Sequence, residues 1–330
     1  MRNEFLWAFM IISSITFGQK PILIGTASMF ADMAKNIAGD YFEIHTIVPI
    51  GYDPHTYEPT PNDAQLLFRA QIILKNELTF EGWLTELIAN SGTKAKMVTL
   101  TQGIEPIKSK AFHNATDPHA WMTAQNGIIY CDNIKNALIE FDPIHKETYQ
   151  SNFEKYKLKL IAIDTKIKSE IQRIPEQQRV LITSHDAFQY FGRHYGLHLE
   201  SVLGTSTEAD IMVSDILRLN KVIQENQVKA VFIESTINPK ILNQIATDNH
   251  VAIGGNLFAD SLGDSLSVAS TYEKMLLHNG STILTSLTND NLNKAITPQN
   301  GYIPFWGIIG LAFITWILLS KRIFKKPNYE

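Results

Sequence analysis

From Ile144 to Ile174 the chain runs without a glycine or proline. Tyr149, Phe153, Tyr156, Leu160, Ile163, Ile167 and Ile171 recur along it at helical spacing. A helix of roughly 30 residues spans about 45 Å at 1.5 Å per residue, longer than an ordinary domain helix. On both sides of it, short apolar runs alternate with amphipathic stretches. Strands separated by helices imply a mostly parallel α/β sheet. The expectation is therefore two α/β lobes, each with a mostly parallel sheet flanked by helices, at 20–142 and 175–290. The long helix at 143–174 would join them as a rigid linker. A coiled-coil partner helix is the alternative, but the repeat is too short to demand one.

Before the linker, Ile22-Leu23-Ile24, Phe42–Val48, Ile72-Ile73-Leu74 and Met97–Leu100 read as strands. Ser28 is a cap for a helix carrying Met29, Met33 and Ile37. Asn62 or Asp63 caps the next helix, a third lies around Trp83–Ile88, and residues 123–141 form a fourth. After Pro175, strands are expected at Val180-Leu181-Ile182, Val228–Ile233 and Val251-Ala252-Ile253. Helices are expected around Phe188–Tyr195, Asp215–Glu225, Asn238–Asp248 and Tyr272–Leu287.

The two ends point to the compartment. Phe5 to Phe17 is an apolar run of 13 residues followed by Gly18, the length of the apolar part of a secretory signal. Residues 1–18 are read as that signal. No cysteine follows directly, so a lipid-attached N-terminus is not expected. Tyr302 to Leu319 is apolar except for Thr315, with Trp306 and Trp316 towards its ends. Residues 302–319 therefore read as a membrane-spanning helix. Lys321, Arg322, Lys325 and Lys326 follow, so 320–330 reads as a cytoplasmic tail. The bulk of the chain would lie on the periplasmic or extracytoplasmic side, tethered to the cytoplasmic membrane. A net charge of −4 without a basic patch argues against nucleic acid. The single cysteine, Cys131, can make neither an internal disulfide nor a CxxC zinc site.

Two stiff loops carry the chemistry. Asp53-Pro54-His55-Thr56-Tyr57-Glu58-Pro59-Thr60-Pro61 follows a strand, and its prolines restrict the backbone. The tripeptide returns at Asp117-Pro118-His119. Both loops hold an imidazole at low entropic cost, as a transition-metal site requires. His185 and Asp260 also follow strand-like runs, and ligands of open α/β sheets bind beyond the carboxyl ends of strands. His55, His119, His185 and Asp260 form the candidate metal set. Three imidazoles and a carboxylate suit Zn²⁺ or Mn²⁺ better than a soft thiolate-seeking metal. Two ligands from each lobe would let the ion clamp the lobes together. The remaining histidines read as structural, with His194 the rival ligand. Glu234 contacts the site or holds its loop, Asp53 and Glu58 orient their own loop, and Tyr57 and Trp121 line a dry pocket wall.

These stretches, with Ser184-His185-Asp186-Ala187-Phe188, Phe232-Ile233-Glu234-Ser235 and Gly254-Gly255 through Gly263, resemble the zinc/manganese substrate-binding proteins of bacterial ABC importers, the TroA-like branch above all. The resemblance covers roughly residues 20–287. It implies two α/β lobes joined by a rigid helix, small lobe motion, and metal held by His55, His119, His185 and Asp260. The ion would be cargo, handed to a membrane permease with its ATPase. Histidine at 185 is similar to the zinc-capable members. The stretch Glu105–Thr116, however, is short and holds only His113, unlike the His-rich loop of many zinc receptors. The alternatives are a zinc-dependent hydrolase, which needs an open coordination position and for which no HExxH is present, and an adhesion protein with a structural metal.

Overall fold

The computed structural model of the chain describes residues 19–108, 116–205, 207 and 210–289. The proposed signal, membrane span and tail, and His113, lie outside the described residues. Among the described residues no helix is long and apolar enough to cross a membrane.

The first half contains strands β1 (Ile22–Gly25), β2 (Glu43–Thr46), β3 (Ile72–Lys75) and β4 (Lys96–Thr99), with helices α1 (Ser28–Ala38), α2 (Pro61–Arg69), α3 (Leu84–Ser91) and α4 (Ala124–Phe141). After helix α5 (Lys146–Ile171), the second half carries β5 (Val180–Thr183), α6 (Gln189–Tyr195), β6 (His198–Ser201), α7 (Val213–Glu225), β7 (Ala230–Glu234), α8 (Lys240–Asp248), β8 (Ala252–Leu257) and α9 (Tyr272–Thr288). Every strand pairing is parallel. The sheets run β2-β1-β3-β4 and β6-β5-β7-β8, the same order twice.

Alternation along the strands explains the layering. Leu23, Ile72 and Leu74 face a central core, while Ile22, Ile24 and Ile73 face an outer cluster closed by Leu67 of α2 and by Leu84 and Leu87 of α3. In the second half Leu181, Ala230 and Phe232 face the same central core. Val180, Ile182 and Val231 face an outer cluster with Leu219 of α7 and Leu242 of α8. One continuous core thus fills the space between the sheets. All seven apolar positions read from the α5 sequence are buried in it. The helix covers 26 residues, about 39 Å. It is shorter than the stretch suggested, because a 3-10 turn at Pro143–His145 precedes it. It is also no isolated strut: α5 packs against α1, α4 and α9, and Lys159 reaches Glu273 at 3.2 Å.

Three local readings change. Ser28 is not a cap; the residue before α1 is Ala27, and the Ser28 hydroxyl accepts the Leu262 N–H at 2.9 Å. Helix α2 is capped by Thr60, with Pro61 at its first position and Asp63 closing the capping box. Strand β6, His198–Ser201, was not expected. It is a four-residue edge strand with mixed polarity, too short to show a period.

Gly127 of α4 lies against Tyr272, the first residue of α9. A Cβ on Gly127 would lie 2.4 Å from the Tyr272 hydroxyl oxygen, which donates to the carbonyls of Trp121 and Thr123. Gly127→Ala should therefore destabilise the protein by about 1–3 kcal/mol, the usual cost of overpacking. Denaturant unfolding of the variant against the parent checks this.

Candidate metal centre

Both Asp-Pro-His loops fold the same way. Asp53 Oδ1 accepts the His55 N–H and Asp117 Oδ1 the His119 N–H, each at 2.9 Å. An aspartate two residues ahead of a backbone donor makes such a turn by itself. His55 then stands beyond β2, and His119 opens the 3-10 turn Ala120–Met122 before α4. His185 follows β5, its N–H held by Glu234 Oε1 at 2.8 Å. Asp260 follows β8. Where that strand pairs with β7 the register shifts between Val231 and Phe232, and Phe232 stands opposite Gly255 at a φ of +146°.

The four side chains meet at one point. His119 Nε2 lies 3.2 Å from His55 Nε2 and 3.4 Å from His185 Nε2. The Asp260 carboxylate oxygens lie 3.0 Å from His185 Nε2, 3.4 Å from His119 Nε2 and 3.9 Å from His55 Nε2. Four donors bound at about 2.0–2.1 Å on a tetrahedron stand about 3.3–3.4 Å apart, so this spacing matches a tetrahedral edge. The donor set is buried, and among the described residues the Asp260 oxygens have no donor other than the site's own imidazoles. A buried carboxylate ringed only by imidazole nitrogens is suited to a cation at their centre. The residues present therefore fit a divalent ion.

Carboxylates behind the rings orient two of them. Asp117 Oδ1 lies 2.7 Å from His119 Nδ1, and Glu234 Oε2 lies 2.8 Å from His185 Nδ1. With Nδ1 facing a carboxylate, Nε2 is left to face the centre. Burial pushes His55 down to about 3. Burial also opposes charge on His119, yet the carboxylates of Asp260 and Asp117 outweigh it and raise His119 to about 9. His185 is raised well above its ordinary value against the same burial by Glu234 and Asp260. Asp260, despite its burial, is held well below the usual range by His185 and His119.

The two halves also meet around the site. The Trp121 indole donates to the Ala259 carbonyl at 2.9 Å, the Gly51 N–H to Ser261 Oγ at 2.8 Å, and the Thr207 hydroxyl to Asp53 at 2.5 Å. Trp121 is buried with its ring against His119, as the pocket-wall reading required. Tyr57 is not there: it bonds Asp63 at 2.8 Å and packs on Trp83, outside the centre. His194 is no rival ligand, since it pairs with Asp164 at 2.8 Å. The sequence reading missed Asp117 as a ring partner, although its place in the repeated tripeptide was the available signal. It also missed Phe80, whose ring lies 5.1 Å from that of His55.

Comparison with known proteins gives the family. Residues 24–286 match the zinc-uptake complex component A periplasmic family. The chain belongs to this family. Among its relatives, the metal ABC transporter substrate-binding lipoprotein SsaB of Streptococcus sanguinis is 33% identical over 265 residues, 78% of this chain and 86% of the relative. The manganese ABC transporter substrate-binding lipoprotein PsaA of Streptococcus anginosus is 32% identical over 281 residues, 83% and 91% of the two chains. The periplasmic zinc binding protein TroA of Treponema pallidum superposes with a TM-score of 0.78 at 29% identity, covering 82% of this chain and all of that one. A Mn-bound periplasmic metal binding protein from candidatus liberibacter asiaticus, an S38A mutant, gives 0.77 at 28%, covering 81% of this chain and all of that one.

The raised His119 has a consequence for stability. Its charge contributes stability that is fully present below about pH 6.5 and is lost as pH rises through about 9. Scanning calorimetry of chelator-treated protein should show the unfolding midpoint falling across that window, and His119→Gln should flatten the fall.

Proposed function

We propose that the protein is an extracytoplasmic receptor. It captures one Zn²⁺ or Mn²⁺ between its halves through His55, His119, His185 and Asp260, and delivers the ion to an ABC permease and its ATPase. The observation that carries this reading is the buried, convergent donor set, in which the Asp260 oxygens meet only the nitrogens of the three imidazoles. The family and its metal-binding relatives support it. The four-donor set also disfavours the hydrolase. A catalytic zinc keeps one position open for water, whereas here a fourth side chain closes the tetrahedron. The metal is cargo, and no turnover is expected. We further propose residues 1–18 as a signal and 302–319 as the tether to the cytoplasmic membrane. Deleting 302–330 should then release the protein from the membrane fraction, and retention there would remove the tether.

Calorimetric titration of the purified protein with Zn²⁺ and Mn²⁺ should show one tight site per chain and rank the two ions. Asp260→Ala should weaken binding more than about 100-fold, beyond the range for a partner behind a ligand, and Glu234→Gln about 10–100-fold. Imidazoles coordinate only when deprotonated. With His119 at about 9 and His185 also raised, an ion arriving at pH 7 displaces protons. Affinity should therefore climb from pH 5 to 9. The binding heat at pH 7 should also differ between buffers of different ionisation enthalpy. A buffer-independent heat would contradict the raised values of His119 and His185 in the empty site.

A further inference from the structure

Between β3 and α3, Glu77, Leu78 and Thr79 stand in succession at φ of +69°, +53° and +70°. Left-handed backbone penalises any residue with a Cβ, and a β-branched threonine most. Such a run persists only where its surroundings hold it. Glu81, buried, holds the start of it. Its Oε1 accepts the Asn76 N–H at 2.6 Å and the Thr26 hydroxyl at 2.7 Å, and its Oε2 accepts the Glu77 N–H at 3.0 Å. One carboxylate thereby ties the loop after β1 to the turn after β3.

The turn carries two groups to the donor set. Asn76 is fully buried; its amide donates to the Pro118 carbonyl at 2.9 Å, and its Oδ1 accepts the Tyr130 hydroxyl. That contact fixes the peptide next to His119. Phe80 lies edge-on to the His55 ring at 5.1 Å and packs on Trp121 at 4.7 Å. The difference between the imidazoles makes this contact matter. His119 and His185 each have a carboxylate at Nδ1. His55 Nδ1 has no such partner among the described residues, so the edge-on Phe80 ring limits its swing.

We propose that Glu81 is a positioning residue for the donor set. By clamping the left-handed turn Glu77–Thr79, it holds Phe80 against His55 and Asn76 against Pro118, so that both imidazoles of the first half are preset for the ion. The proposal rests on the receptor reading and adds a residue that never touches the metal.

The test uses Co²⁺ as a spectroscopic probe, with Zn²⁺ competition for affinity. Work at pH 8 stays above the value of about 7 to which burial pushes the Glu81 carboxyl, so both oxygens act as acceptors. Glu81→Gln turns one acceptor into a donor. It should lower affinity about ten-fold or more, as loss of an outer partner does, and weaken the visible absorption of tetrahedral Co²⁺. Glu81→Ala should do more; if it does not fold, Glu81→Gln carries the comparison. Adding Thr79→Gly removes part of the strain, so Thr79→Gly/Glu81→Gln should regain affinity and spectrum as well as thermal midpoint. Recovery of the midpoint alone would reduce Glu81 to a structural role and overturn the proposal. So would a Glu81→Gln protein with the parent's affinity and spectrum. A parent protein that binds neither Co²⁺ nor Zn²⁺ would overturn the receptor reading, and this proposal with it.

Discussion

The Asp260 carboxylate, buried among three imidazoles and met by no other donor among the described residues, is the constraint on which the rest depends. An isolated buried carboxylate would take up a proton rather than stay charged. Here the neighbouring rings favour the anion, and the carboxylates of Asp117 and Glu234 in turn favour charge on those rings. With no ion present, protons on His119 and His185 balance the acidic groups. A divalent cation performs the same balancing with shorter bonds. Metal capture by such a site is thus an exchange of charge for charge, which keeps the burial of so many ionisable groups tolerable.

That exchange needs the two halves in register within fractions of an ångström, and the central helix layer supplies it. Helix α5 is one member of a layer with α1, α4 and α9, and one core runs from Leu23 in the first sheet to Leu257 in the second. Moving one half against the other would shear packed side chains, as well as breaking the bonds from Trp121 to Ala259 and from Gly51 to Ser261. Interiors packed at crystal-like density resist such sliding. The fold therefore favours small adjustments at the mouth over a wide hinge.

Around the donor set, each loop is held by a different device. The two Asp-Pro-His loops carry their own aspartate turns, so they are stiff before any tertiary contact forms. The His185 loop borrows Glu234 from the next strand, and the Asp260 loop leans on Ser28 and Trp121 of the opposite half. The backbone turns at His55 and His119 are thus local, while the placing of their rings, like that of His185 and Asp260, draws on distant residues.

The sequence by itself determined what depends on neighbours along the chain. It set the period of strands and helices, the buried stripe of α5 at Tyr149 through Ile171, the boundaries of most elements to within a few residues, and the stiff loops at His55 and His119. It also singled out the four residues that the fold brings together, because each sits beyond a strand or in a repeated tripeptide. Only the tertiary structure decided the rest. Tyr57 turns away although His55, two residues earlier, enters the centre, since its hydroxyl donates to Asp63 in the helix that follows the loop. His194 goes to Asp164 because α6 presents it to α5, and Ser28 serves Leu262, 234 residues away, rather than its own helix. Glu234 faces His185 Nδ1 through packing that no spacing rule encodes. Contacts between residues far apart in the chain have no period to read, and they are what turned four separated side chains into one donor set.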